Sequence, residues 1–333
     1  MQYLDVGIDL GSTSVKIYVK NLGLVANVKS VIAVNRQTGK LIDVGVRAYK
    51  MLGRAPIEIE VVEPLLNGVV ANLEFTKLFI DEILAEVVNV PRRRMRVFLC
   101  VHSGETEMEK LVLINNIFFD QTSHIFLVQE SVATGFGAGF DLNSGVVVVN
   151  IGGGTTDMAY IDASRVFRSS SVKLAGKTID SAIIEQVCTR YGLVIGKLSA
   201  EKLKIQAASI NNWRSDDKND RVFKLSGKDK FSHLPKRVFL NSSDVHNLIR
   251  IAIDEIVNAI VGFVCILPVD LIANSQLVLA GGTSLIDGFA EYVSKKVKLP
   301  IIVANDPIGC AVFGLSELFN MTDLKNSFLV DSA

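Results

Sequence analysis

The sequence predicts an α/β protein built as two lobes, and three observations carry that prediction: the length, the apolar share, and a strand-turn-strand pattern that occurs twice. At 333 residues the chain is too long for one ordinary core, so two lobes or two domains are expected. Apolar residues make up 49% and charged residues 21%, a balance that fills large cores, whereas a disordered chain needs fewer apolar groups and unbalanced charge. The two copies of the pattern lie ~140 residues apart, the mark of a duplicated domain.

The first copy is a strand-like run over residues 3–10 that ends at Gly11, Ser12, Thr13 and Ser14 and resumes over 15–19, a hairpin with a polar turn. The second runs over 146–151 into Gly152, Gly153, Gly154, Thr155, Thr156 and Asp157 and resumes over 158–161. A third glycine turn, Gly281, Gly282, Thr283 and Ser284, follows the apolar run 276–280 and precedes a helical pattern over 285–298. Such a strand-turn-helix unit offers backbone N–H groups to a ligand. Helical patterns also cover residues 76–88, 106–118, 177–191 and 243–267. The most apolar stretch, 256–269, carries Asn258 and Pro268 and falls short of the ~20 residues of a bilayer span, so it reads as a buried helix. Residues 211–241 are polar and charge-rich and belong to a peripheral subdomain.

Thirty-five basic residues balance 35 acidic ones, so no global field gathers nucleic acid or anionic lipid, and nucleic acid is not expected as a partner. Cys100, Cys188, Cys265 and Cys310 are far apart with no CxxC pair, which suggests buried thiols in a reducing cytosol rather than zinc or disulfides. The chain opens on Met1, Gln2, Tyr3 and enters a strand directly, without the basic and apolar regions of a signal peptide. A cytoplasmic protein is expected.

Turns of glycine and hydroxyl residues can aim several N–H groups at one anion, because glycine tolerates positive φ and lets phosphate oxygens approach. One such turn is weak evidence, since hairpins use Gly-Ser for steric reasons. Two at the heads of matching units are stronger, as an apolar strand gains nothing from ending in three glycines. No GxxxxGK[ST] and no GxGxxG occurs, so neither a Walker loop nor a dinucleotide fold is indicated.

The ordering of these turns resembles the actin, sugar-kinase and heat-shock ATPase superfamily. Within it the chain resembles the MreB family over almost its whole length, through segments such as Met51-Leu52-Gly53-Arg54-Ala55-Pro56, Gly68-Val69-Val70-Ala71-Asn72-Leu73-Glu74, Ser103-Gly104-Glu105-Thr106-Glu107-Met108-Glu109-Lys110 and Ala304-Asn305-Asp306-Pro307. The resemblance implies an actin-like, ribonuclease H-like duplicated ATPase fold with a nucleotide cleft between the lobes. It implies core subdomains IA (1–30 and 74–140) and IIA (141–180 and 244–333), and peripheral subdomains IB (31–73) and IIB (181–243). It implies ATP or ADP with Mg2+. Gly11, Ser12, Thr13, Ser14 and Lys16 form the first phosphate loop, Gly152, Gly153, Gly154, Thr155 and Thr156 the second, and Gly281, Gly282, Thr283 and Ser284 the adenosine turn. Asp9 and Asn150 hold the metal, Glu130 and Thr155 position the attacking water, and Glu201 with Lys204, three residues apart on one helix face, contacts the ribose.

Two departures stand out. Asn150 occupies a position where relatives carry Asp, and an amide keeps the size but loses the charge, so ATP binding is expected with slow turnover. Ser131 stands where a proline is usual beside Glu130. By the same resemblance, the chain self-associates into double protofilaments through the helix over 106–118, although most apolar residues there read as core. It meets the inner face of the membrane through Arg92, Arg93, Arg94 and Met95 or the tail over 318–330, and it works with other cell-shape or motility proteins. A small-molecule kinase would need a catalytic acid for a substrate hydroxyl and a larger insertion. A chaperone ATPase would carry a long C-terminal peptide-binding domain. A plasmid-segregating actin and a binding module with almost no turnover complete the rivals.

Overall fold

The computed structural model describes residues 3–118, 124–141, 145–163, 165–211, 221–273, 275–320 and 329–331. The first lobe opens with a meander of β1 (Leu4–Leu10), β2 (Ser14–Val19) and β3 (Gly23–Lys29). A satellite follows, of β4 (Ile32–Asn35), β5 (Leu41–Val44), α1 (Gly45–Met51) and β6 (Ile59–Val62), and then a small hairpin of β7 (Leu65–Leu66) and β8 (Val69–Val70). The chain returns through α2 (Leu73–Val87), β9 (Met95–Val101), α3 (Glu107–Leu113), β10 (His124–Gln129) and α4 (Glu130–Gly137). The second lobe begins with β11 (Val146–Ile151), β12 (Thr156–Asp162), β13 (Arg165–Val172) and α5 (Gly176–Tyr191). Its peripheral part holds β14 (Leu193–Val194), α6 (Lys197–Ala207), β15 (Val222–Asp229) and β16 (Pro235–Asn241). It closes with α7 (Ser242–Cys265), α8 (Val269–Ile272), β17 (Gln276–Ala280), α9 (Phe289–Val297), β18 (Ile301–Val303), α10 (Cys310–Leu318) and β19 (Leu329–Asp331).

The duplication is visible in the sheets. The first has the order β10-β9-β1-β2-β3 with β19 added at its edge, the second the order β18-β17-β11-β12-β13. In both, the central strand lies parallel to one neighbour (β9 or β17) and antiparallel to the next strand in sequence. Registers match as well. Asp9 faces Lys16 in one hairpin and Asn150 faces Asp157 in the other, so both positions obey a single offset of 141 residues.

Each sheet buries its outer face under its own helices. Phe79, Ile80 and Ile83 of α2 cover the first sheet. Ile179 and Ile183 of α5 and Ile253, Ile256 and Ile260 of α7 cover the second. The inner faces share a third core, in which Val128 and Val132 meet Val148, Val278 and Leu315. Here α4 and α10 cross at close range: a Cβ on Gly314 would collide with the carbonyl of Ala133, and one on Gly137 with that of Cys310. Interlocked glycines let the two backbones approach and fix the base of the cleft.

Local chemistry sets the element ends. The Thr106 hydroxyl accepts the N–H of Glu109, and Glu109 accepts the N–H of Thr106 at 2.7 Å, a closed capping box that starts α3. The helix is shorter than expected, because it passes into a π-helical turn over Ile114–Phe118. Its apolar residues divide, with Leu113 and Ile114 buried but Met108 and Leu111 exposed. The stretch 256–269, expected as a buried helix, covers the end of α7 at Cys265 and the start of α8 after Pro268. Ile256, Val257, Ile260, Phe263, Val264 and Leu267 are buried, but Ile266 and Val269 are exposed, so only one face is covered. The helix expected from residue 285 begins only at Phe289, because Gly288 takes φ of 77°. Among the described residues, no helix is long and apolar enough to cross a membrane. Parts of the 211–241 and 318–330 segments, namely 212–220 and 321–328, lie outside the described residues.

Met95 corrects the expectation that it reaches lipid. It is 2% exposed and packs in the core of the first lobe, because it opens β9 with its side chain turned inward. Arg92 pairs with Asp81, and Arg96 with Asp5 at 2.5 Å, while Arg93 and Arg94 are exposed.

Candidate functional site between two matched turns

The turns that head β2 and β12 meet across the lobes. A Cβ on Gly153 would collide with the Thr13 hydroxyl, and one on Gly154 would lie 2.8 Å from both Ser12 Oγ and Asn67 Cα. Only glycine permits this approach. The Ser12 hydroxyl accepts the Gly68 N–H at 2.8 Å, which draws the β7–β8 turn into the same place. From the second lobe, Lys177 at the start of α5 donates to the Ser12 carbonyl at 3.0 Å.

The third turn backs the second. Gly281 has φ of 81° and presses its Cα against the backbone of Ile151, and the Thr283 hydroxyl donates to the Gly152 carbonyl at 3.2 Å. Lys204 arrives at the same corner, donating to Gly176 O at 2.9 Å and to Asp180 at 2.8 Å. Glu201 points across the cleft to Lys29 at 2.9 Å. The two residues expected to act together thus share a helix face but hold different partners.

Beneath the turns lies a buried charged cluster. Asp9 and Lys16 form an ion pair at 2.8 Å, both under 10% exposed. Burial works against the Lys16 ammonium, but Asp9 outweighs it and raises the lysine above its ordinary value. Asn150 donates its amide to Glu130 Oε1 at 2.5 Å. His102, at the end of β9, places Nδ1 2.9 Å from Asp157, 3.0 Å from Glu130 and 3.2 Å from the Thr155 hydroxyl. Burial disfavours the imidazolium, yet the two carboxylates together lift His102 well above its ordinary value. One cation cannot fully compensate two acids. Asp157 falls below its usual range despite burial, held down by His102 and the Ser103 N–H, whereas burial pushes Glu130 up against the same histidine.

The ligand atoms of His102, Glu130 and Asp157 lie within 4.8 Å of one another. Carboxylates only accept, so the shared Nδ1 carries a proton and donates. A protonated nitrogen is no metal ligand. The sequence had indicated Asp9, Lys16, Asn150, Glu130 and Thr155, and the structure gathers all five here. Sequence reasoning missed His102 and gave Asp157 no role. The available signal was an ionisable residue at the carboxyl end of a parallel strand, where open α/β sheets bind ligands. It also missed Glu63, which grips Lys177 and Lys197 at 2.6 Å each across the cleft.

The MreB/Mbl protein family model matches residues 3–327. The chain belongs to the MreB/Mbl family. It is 31% identical over 325 residues to the cell shape-determining protein Mbl of Bacillus subtilis (strain 168), covering 96% of each chain. Among solved structures, MreB5 of Spiroplasma citri bound to AMPPNP superposes with a TM-score of 0.90 at 29% identity, covering 98% of each chain. The MamK double helical filament superposes with a TM-score of 0.80 at 19% identity, covering 96% of this chain and 99% of that one, a likeness of fold alone. This MreB/Mbl chain therefore has the actin-like fold that the motifs implied.

Proposed function

We propose that this MreB/Mbl protein binds ATP between its lobes and polymerises into filaments at the inner face of the cell membrane, with slow hydrolysis regulating the filament in cell shape or motility. The observation that carries it is the meeting of Gly153 and Thr13, which brings the two glycine-hydroxyl turns into contact; turns of this kind can present backbone N–H groups to one anion. The AMPPNP bound to the Spiroplasma MreB5 is consistent with that reading. Gly11 to Ser14 with Lys16, and Gly152 to Thr156, take the phosphates. Gly281 to Ser284 take the adenosine, and Glu201 and Lys204 the ribose. Glu130 and Thr155 orient the water, which is the main protein task in phosphoryl transfer beyond charge neutralisation. The donors beneath the turns, the Asp9 and Glu130 carboxylates and the Asn150 amide oxygen, are those a hard cation takes, so magnesium fits. Asp9 and Asn150 would hold it, and when bound it neutralises phosphate charge.

The proposed subdomain bounds are those of the sequence reading: 1–30 with 74–140, 31–73, 141–180 with 244–333, and 181–243. The exposed Met108 and Leu111 on α3 suit a contact between protofilaments. Arg93 and Arg94 suit anionic lipid at about 1 kcal/mol each, multiplied along a filament. High-speed pelleting with and without ATP and magnesium, beside nucleotide calorimetry, tests this. Sedimenting filaments and micromolar binding are expected; a monomer with no affinity for adenine nucleotides overturns it.

A further inference from the structure

We propose that His102 is the positioning residue for Glu130, holding that carboxylate in the orientation that receives the attacking water; the inference rests on the hydrolysis reading above. Glu130 opens α4, and its side chain is gripped at both oxygens. Asn150 of the second lobe donates to Oε1 at 2.5 Å, and His102 of the first lobe makes an ion-pair contact with Oε2, its Nδ1 3.0 Å away. A flexible side chain held at two atoms from two directions has its carboxylate plane fixed. Of the roughly four lone-pair sites of a carboxylate, these two contacts occupy at most two, which leaves acceptor capacity for a water proton.

The imidazole is itself fixed. Asp157 Oδ2 holds Nδ1 at 2.9 Å, and Asp157 Oδ1 accepts the Ser103 N–H at 3.1 Å, so the acid is locked to the residue next to the histidine. On the opposite edge the ring lies against Gly68, whose φ is 81°. A Cβ there would stand 2.6 Å from Cδ2 and 2.7 Å from Nε2, so glycine makes the room the ring occupies. The Thr155 hydroxyl, the second group given to the water, lies 3.2 Å from the same Nδ1. His102 thus touches both water-orienting residues and the acid that holds it. A histidine serving only to fill space would need none of these three polar contacts. The charges agree: Asp9, Glu130 and Asp157 face Lys16 and His102, and removing the histidine leaves one cation against three carboxylates in a buried site.

The test uses the full chain with ATP and magnesium and compares wild type, His102→Gln, His102→Leu and Glu130→Gln. Phosphate release gives kcat and KM, and calorimetry with a non-hydrolysable ATP analogue gives affinity. Misplacing a reacting group by about 1 Å costs on the order of 100-fold, so His102→Leu is expected to lower kcat by roughly 10- to 100-fold, with analogue affinity within about twofold. His102→Gln, whose amide still supplies an N–H donor, falls between. In protein labelled with 15N-histidine, the signal absent from His102→Leu identifies the His102 Nδ1 proton, and Glu130→Gln is expected to move it. A structural role alone would lower analogue affinity together with kcat. The proposal is overturned if His102→Leu keeps kcat within twofold, or if Glu130→Gln leaves the Nδ1 proton unmoved. Wild type that binds the analogue yet releases no phosphate instead overturns the hydrolysis reading, and the positioning role with it.

Discussion

The turn at Ser12 and the turn at Gly153 occupy equivalent places in two matched sheets, yet they are charged differently. Beneath the first, the cross-strand pair is Asp9 and Lys16, an ion pair complete within one hairpin. Beneath the second, the same positions hold Asn150 and Asp157, and the acid finds its cation in His102, on the other lobe. The first half of the site is therefore electrostatically whole whatever the lobes do. The second half is whole only when the lobes are together, because separating them would strand Asp157 without its imidazolium. On the proposed function, bringing the lobes together and assembling Glu130, His102 and Asp157 are one event.

The harshest way to break the comparison is Lys16→Met. Removing one partner of a buried ion pair leaves an uncompensated charge, at about 3–5 kcal/mol. Because the pair is internal to one hairpin, the loss is expected in urea unfolding of the nucleotide-free protein, and ATP added without magnesium should not restore it. An undiminished free energy of unfolding would show that Asp9 needs no partner there. Next in size is Gly153→Ala, whose new Cβ would collide with Thr13 and hold the turns apart. Affinity for ATP is expected to fall about 100-fold, near 2.7 kcal/mol, while Gly196→Ala, which meets nothing within 4 Å, leaves it unchanged. Equal affinities in calorimetry would mean that the two turns need not touch.

Asn150→Asp sharpens the contrast by giving the second hairpin the acid of the first. The new carboxylate would face Glu130 where the amide now donates at 2.5 Å, so a hydrogen bond becomes a repulsion. The expected cost is about 2 kcal/mol without metal, recovered when magnesium and ATP are added. Thermal melts with and without magnesium measure it. A variant no less stable than wild type in chelator would show that Glu130 does not depend on Asn150.

The parts of this architecture that were legible in the sequence are those written in contiguous residues. Gly152, Gly153 and Gly154 after a largely apolar strand announce a turn, and a glycine-hydroxyl turn at Gly11 announces its twin, so the duplicated α/β fold could be read directly. The long periodic helices were legible to within a few residues, and the misplaced start of α9 traces to one φ, at Gly288. His102 was not legible. Its meaning depends on Asp157, 55 residues away, and on Gly68 from a peripheral hairpin. Met95 failed for a related reason: a basic run suggests a surface, but strand alternation turned this one side chain inward.

The mildest test concerns Glu105, three residues beyond His102 on the loop that brings the histidine to the second hairpin; the first hairpin has no counterpart of this load. Its Oε2 is buried without a hydrogen-bond partner, and burial, opposed by His102, pushes its pKa from the ordinary 4.5 up to about 7. The folded state thus binds this proton more tightly than the unfolded chain. Below pH 4.5 the group is protonated in both states and costs nothing. As pH rises from 4.5 to 7 the unfolded chain gains by ionising and the folded protein loses stability; above 7 the loss is complete. With about half the nominal value discounted for partial solvent access, that loss is about 1–2 kcal/mol. Glu105→Gln removes the titration, so its stability relative to wild type should grow from near zero at pH 4 to that amount at pH 8, read from urea midpoints. The variant also leaves His102 its two carboxylate partners, Asp157 and Glu130. A stability difference that stayed constant across this range would place the strain on the loop in packing rather than charge, and would remove Glu105 from the set of acids that the lone imidazolium must balance.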